Sequence, residues 1–164
     1  MDEIDNPKQY LADIIGFGTE VDIMPLVHQA MARCPYVHDF TPREIADLVV
    51  IAARGIYIPV DTLERIEGRN LGALTGFVIL RIQSEYRIQQ LTNPSIQKSM
   101  PYLELEYFKE TGICDGAAKL LDRWLAPDEL TALPLNECTH KGCTCRYRSN
   151  SKRQAQRRHP LRAT

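Results

Sequence analysis

A chain of 164 residues, 44% hydrophobic and 25% charged, can bury a core of its own, which excludes an extended polar tail. No run approaches the roughly 18 uninterrupted apolar residues of a membrane span. The acidic start Met1-Asp2-Glu3-Ile4-Asp5 lacks the positive charge of a secretory leader, so a cytoplasmic setting with reduced thiols and no membrane contact is expected.

The net charge of −1 hides an asymmetry. After Glu137 there is no acidic residue. Lys141, Arg146, Arg148, Lys152, Arg153, Arg157, Arg158 and Arg162 place +8 there, which leaves −9 on the rest. An acidic body with a basic tail points to an anionic partner or to an intramolecular contact.

In chain order, Asn6-Pro7 reads as the start of a short helix that stops at Gly16. A second helix is expected from about Thr19, with Val21, Met24, Val27, His28 and Met31 at helical spacing. Thr41-Pro42-Arg43-Glu44 is a capping box with proline at the first helical position. Ile45, Leu48, Val49 and Ala52 follow on one face, and Gly55 closes the helix. Asp61 is read as the cap of a brief helix carrying Leu63 and Ile66. The longest periodic segment runs from Asn70 to about Leu91, with Leu71, Leu74, Val78, Ile82 and Tyr86 repeating at helical intervals; Asn93-Pro94 ends it.

The pattern then changes. Tyr102-Leu103-Glu104-Leu105-Glu106-Tyr107 alternates apolar and acidic residues, the signature of a strand. Glu104 and Glu106 are expected on a solvated edge. Cys114 to Trp124 reads as a short helix burying Ala118 and Leu121, and Asp128 to Leu135 as a loop. Arg146-Tyr147-Arg148 is a candidate second strand, with its arginines set against Glu104 and Glu106. The expected fold class is mainly α: a helical bundle over 1–98, a small α+β cysteine-rich metal-binding unit over 99–148, and a disordered basic tail over 149–164.

The run Cys138-Thr139-His140-Lys141-Gly142-Cys143-Thr144-Cys145 concentrates soft metal ligands. Zinc takes four thiolate or imidazole donors in a tetrahedron. Cys143-x-Cys145 sets two thiols on the same side of an extended chain, and Gly142 permits a turn that returns Cys138 or His140. Cys114 is the natural fourth ligand, and His140 is the alternative. The spacing lacks paired Cys-x-x-Cys knuckles. Thiols without a metal, an iron–sulfur cluster, and redox chemistry stay open beside structural zinc. Cys34 reads as a small buried hydrophobe.

Leu133-Pro134-Leu135-x-x-Cys138, continued by Cys143-x-Cys145-Arg146-Tyr147 with Cys114 upstream, resembles the C-terminal tail of uncharacterised bacterial proteins. It is distantly similar to the cysteine-rich end of Mu-type phage head-morphogenesis proteins. The resemblance covers about 112 to 148, on the order of 35 residues, and implies a small metal-stabilised or metal-derived unit but no activity. Where the phage-type pattern often carries a second cysteine, three residues after the first, this chain has Ala117.

The basic residues Arg146, Arg148, Lys152, Arg153, Arg157 and Arg158 are candidate phosphate contacts, without interleaved aromatics to stack on bases. Residues 41–67 have a helix–turn–helix outline, but the connection from Ile56 to Val60 is long for a DNA-reading pair. Gly16-Phe17-Gly18 is too short to cradle phosphate. His28 and His38 have no nucleophile or carboxylate pair beside them in sequence. The reading is therefore a non-catalytic binding or regulatory protein with an unknown protein partner and a structural zinc site, contacting nucleic acid through its tail. The alternatives are a phage-derived assembly or accessory factor and a thiol redox or metal-transfer protein.

Overall fold

The computed structural model describes residues 25, 26, 29, 39–41, 43, 44, 47, 48, 58–66, 70–138 and 143–160. The chain divides into two compact units, Met1–Gln83 and Ser84–Thr164. The border between the units lies within the long helix; from sequence the cysteine-rich part is expected from 99. The expectations for residues 6–16, for Gly16-Phe17-Gly18, and for His28, Cys34, His38, Gly55 and His140 lie outside the described residues.

In the first unit the capping box has its full geometry. The Glu44 N–H donates to Thr41 Oγ1 at 3.3 Å, while the Thr41 N–H and hydroxyl donate to Glu44 Oε2 at 2.7 and 2.8 Å. Both bonds to the carboxylate hold the Glu44 pKa below its ordinary value. Helix α1 (Val60–Glu64) follows Pro59, and Asp61 lies in its first turn rather than capping it. Just beyond α1, Arg65 donates to the Asp39 carbonyl at 2.6 Å and lies 3.9 Å over the Phe40 ring. Helix α2 (Leu71–Leu91) starts at Asn70, whose Oδ1 accepts from the Ala73 N–H at 3.0 Å. Leu74, Val78 and Ile82, spaced by four along α2, are all buried.

In the second unit, Asn93 stops α2 and also caps a helix not expected from sequence, α3 (Pro94–Ser99), by accepting from the Ser95 N–H at 2.9 Å. Strand β1 (Tyr102–Glu106) pairs antiparallel with β2 (Arg146–Asn150), Glu104 opposite Arg148 and Glu106 opposite Arg146. This is the cross-strand charge pairing that the alternation suggests. Leu103, Leu105 and Tyr147 face a cluster with Leu91, Cys114, Ala117, Leu125, Leu130 and Leu133. Leu125 extends the sheet by donating from its N–H to the Leu103 carbonyl at 2.8 Å.

Three expectations are corrected here. The helix expected from Cys114 to Trp124 is only α4 (Asp115–Ala118), and Ala117 rather than Ala118 is buried. Asp122, at φ 59°, turns the chain away soon after. Residues 152–158 form helix α5 (Lys152–Arg158) where disorder is expected. Ser151 and Gln154 cap it reciprocally, and Ala155 is fully buried, so one inward alanine and a charged anchor do what the polar composition lacks.

The third correction concerns the fold class. The described residues do not form a helical bundle. They hold five α-helices, of which only α2 and α5 reach seven residues, and a two-stranded sheet. Bundles need several long helices with continuous apolar stripes. Here Asn93-Pro94, Gly112, Pro127 and Pro134 interrupt the chain every few turns, and the core of the second unit is closed by the sheet and loops.

Candidate thiol site and the charged face of the sheet

Three segments bring the cysteines together. Cys114 is the residue before α4 and is buried in the core cluster. Gly116 in α4 faces the 135–137 segment, where an added Cβ would lie 2.9 Å from Leu135 Cδ1 and 2.5 Å from Glu137 Oε1. Lacking a side chain, it lets that segment lie against α4, and a turn from Leu135, whose carbonyl accepts from the Cys138 N–H at 2.9 Å, delivers Cys138. Cys138 and Cys145 pack against the same cluster that buries Cys114. The 143–145 segment is fixed from the other side. Thr144 Oγ1 accepts from the Phe108 N–H at 3.2 Å and lies 2.6 Å from the Thr111 hydroxyl.

The thiols sense one another. The interaction with Cys145, the largest influence, together with burial pushes the Cys143 pKa well up. Its counterpart holds the Cys145 pKa below its ordinary value, against burial and the repulsion of Cys114 and Cys138. All four thiols are therefore within electrostatic reach. They are free of disulfides: Cys114 is buried, and Cys138, Cys143 and Cys145 are half-buried. Among the described residues, no group of three or more His, Cys, Asp or Glu side chains is set to hold a metal ion. The donor chemistry nonetheless suits a soft ion.

The opposite face of the sheet carries a site that sequence reasoning missed. Glu104, expected on a solvated edge, has a side chain only 7% exposed. Asn150 Nδ2 donates to Glu104 Oε1 at 2.9 Å, and Arg158 Nε lies 3.1 Å from the same oxygen. His159 Nε2 is 2.8 Å from Glu104 Oε2, and its ring sits edge-on to Trp124 with centroids 5.3 Å apart. Tyr102 also meets Trp124 edge-on, with centroids 5.3 Å apart. Glu106 is paired with Arg146 at 2.7 Å and with Arg148 and Arg158 at 3.5 Å.

These pairs divide the candidate phosphate contacts. Arg146, Arg148 and Arg158 are committed to Glu104 and Glu106. Lys152, Arg153 and Arg157 are exposed and make no ion pair with a described residue. At 100° per residue, Arg153 and Arg157 lie on the ridge of α5 opposite buried Ala155. Alternation alone puts Glu104 outside. Only α5, folding back over that face, buries it, and a seven-residue polar segment carries no hydrophobic stripe to announce the return.

The chain matches no family model, and no curated protein or solved structure is similar to it. Among the described residues no helix is long and apolar enough to cross a membrane.

Proposed function

We propose that this chain is a non-catalytic binding or regulatory protein of the cytoplasm whose C-terminal unit is clamped by a structural zinc ion. Cys114, Cys138, Cys143 and Cys145 would hold the ion as thiolates through four metal–sulfur bonds. The observation that carries the reading is the gathering of four cysteines from three separate segments, with Cys145 within electrostatic reach of the other three and Cys114, Cys138 and Cys145 at one core cluster. Scattered thiols without a role have no reason to converge. When bound, zinc supplies a rigid crosslink; the residues themselves pin Cys145, and so the start of β2, to α4.

The exposed face of α5 adds an anionic partner, read as nucleic-acid phosphate. Lys152, Arg153 and Arg157 support this because their charge is not compensated within the described chain. Arg153 and Arg157 are four apart, and like charges at that spacing repel by a few tenths of a kcal/mol, which an anion would relieve. Contacts limited to three cations predict weak, salt-sensitive, sequence-independent binding.

Elemental analysis of the purified protein tests the clamp. About one zinc per chain is expected, lost in Cys114→Ser and retained in His140→Ala. A metal content near zero in the unaltered chain sinks it, and loss in His140→Ala with retention in Cys114→Ser moves the fourth ligand to the loop. For the tail, retention on a nucleic-acid column should fall with salt and fall again when Lys152, Arg153 and Arg157 are replaced together by Ala. Equal retention of that variant removes the nucleic-acid reading.

A further inference from the structure

Phe108 is 55% exposed although its backbone is tied down on both sides. Its N–H donates to Thr144 Oγ1 at 3.2 Å, and its carbonyl accepts from the Thr111 hydroxyl at 2.8 Å and from the Thr111 N–H at 3.1 Å. A large ring held out in water on a fixed backbone loses little further freedom when a ligand lies on it. A single exposed aromatic is ordinary by itself; the surroundings of this one are not. Phe108 continues the alternation of Glu104 and Glu106 in extended backbone (φ −82°, ψ 122°), which sets it on the α5 side of the sheet. The Arg146 guanidinium lies over its ring, 5.4 Å from the centroid, and the Arg146 side chain is itself 60% exposed. Arg146 and Arg158 both reach Glu106, at 2.7 and 3.5 Å, so the ring, the strands and α5 form one continuous surface. The guanidiniums of Arg146, Arg148 and Arg158 stand there against only the two carboxylates of Glu104 and Glu106. The surface is therefore in positive excess before the exposed Arg153 and Arg157 are added. No aromatic interleaves the exposed basic residues along the chain; the fold supplies one from just beyond the end of β1.

We infer that this surface seats single-stranded nucleic acid, with an unpaired base stacked on Phe108 and the phosphates running past Arg146 toward Arg153 and Arg157. The inference rests on the nucleic-acid reading of α5 above and narrows it to one class of strand. The combination of an open ring with flanking cations selects that class. Every base has a π-face, so stacking needs no particular sequence. Bases within a duplex are already stacked on one another and closed to a side chain on a protein surface, whereas those of a single strand can be splayed out. Arg146 backs the ring and places its charge beside it, the pairing of aromatic and guanidinium that suits a base and its phosphate together. An acidic peptide would satisfy the arginines but leave the ring without a flat partner.

The test measures binding of the full chain, at a fixed low salt concentration, to a fluorescent oligothymidylate, to an abasic strand of equal length, and to a duplex with the same number of phosphates. The oligothymidylate should bind most tightly, roughly tenfold better than the abasic strand. Phe108→Leu keeps the apolar bulk and removes the ring; it should erase that difference and leave abasic-strand binding unchanged. Phe108→Tyr, which keeps a ring, should preserve the difference. Equal affinity of the unaltered chain for the oligothymidylate and the abasic strand overturns the inference, and this comparison needs no variant to fold. A duplex bound as tightly as the single strand overturns it too, as does a Phe108→Leu chain that still prefers the strand with bases. In those cases, weaker binding on joint replacement of Lys152, Arg153 and Arg157 by Ala keeps the phosphate reading of α5 while the stacking seat fails. No binding of any of the three probes by the unaltered chain, or polyglutamate displacing the oligothymidylate as well as unlabelled strand does, overturns both.

Discussion

The thiol cluster and the Glu104 cluster lie in the same unit, Ser84–Thr164, and are assembled in opposite ways. Three of the four thiols stand within eight residues of one another. They are half-buried and lie within electrostatic reach of one another. The Glu104 cluster draws on Tyr102, Glu104, Trp124, Asn150, Arg158 and His159. Its carboxylate is buried and both oxygens are engaged by donors. The first is a set of ligands without a strong bond among them. The second is a network whose carboxylate is fully engaged, although the buried Asn150 Oδ1 has no hydrogen-bond partner among the described residues. A cluster that nears completion only with a ligand is a candidate site, and a carboxylate already satisfied by its own chain is a structural fastening.

The largest test of this contrast is chelation. On the zinc reading, removing the ion should lower the stability of the second unit by about 4 kcal/mol at zinc a thousandfold above its Kd. Thermal melts with and without a strong chelator read this, and identical melts break the contrast at its first half. Glu104→Ala comes next. It removes the nearer carboxylate from Arg158 and the shorter of two bonds from the Asn150 amide, leaving Arg158 on Glu106 and Asn150 Nδ2 on the Tyr102 carbonyl, so a loss of about 1–2 kcal/mol is expected. Part of the guanidinium is exposed, which keeps the figure below that of a fully buried pair. Chemical denaturation checks it, and unchanged metal content in that variant would show that the two clusters are separate fastenings.

Tyr147→Phe is smaller. The Tyr147 hydroxyl donates to the Thr131 carbonyl at 2.9 Å and accepts from the Thr131 N–H at 3.3 Å. Burial, the larger influence, raises the phenol pKa, against the lowering effect of those bonds. Removing the hydroxyl should cost about 1 kcal/mol by urea unfolding; a neutral result would mean that the 130–133 loop is held by the packing of Leu130 and Leu133 and by the Leu133 N–H bond to Ser84 Oγ.

The smallest effect lies in the first unit, as a control that neither cluster should influence. The folded Glu44 pKa is depressed from 4.5 by the Thr41 bonds. The stabilisation is therefore complete above that value and is lost as the pH falls through the lower folded one. Glu44→Gln should flatten this part of the acid limb of a stability–pH profile without changing the neutral plateau's dependence on metal. An unchanged acid limb would remove the cap as a source of acid sensitivity.

Much of the local structure was legible. Thr41 and Glu44 sit three apart, and the capping bonds follow from that spacing alone. Leu74, Val78 and Ile82 identify the buried side of α2 because a helix repeats every 3.6 residues. Alternation in Tyr102–Glu106 announces a strand, and opposite charges at Arg146 and Arg148 suggest its partner. Periodicity failed where elements are short. Cys114 to Trp124 offers Ala118, Leu121 and Trp124 at a helical interval, yet the chain leaves the helix after Ala118 and turns at Asp122. Tertiary contacts with Leu103 and Leu125 outweigh a weak local preference there. The helical bundle was an overreach of the same kind, extending the periodicity of one long helix to its neighbours.

What the amino-acid order determined by itself is whatever depends on residues a few positions apart: the caps, the strand alternation, the crowding of Cys138, Cys143 and Cys145, and the charge of the tail. What only the tertiary structure decided is which distant groups meet. It brought Cys114 to the other three sulfurs through the close approach at Gly116. It also folded α5 over the sheet, so that Glu104 became buried and Arg158 was spent on it, while Arg153 and Arg157 stayed outside. Short-range order follows from backbone geometry and hydrogen-bond reach. Long-range pairing follows from which surfaces exclude water together, and no spacing along the chain encodes that directly.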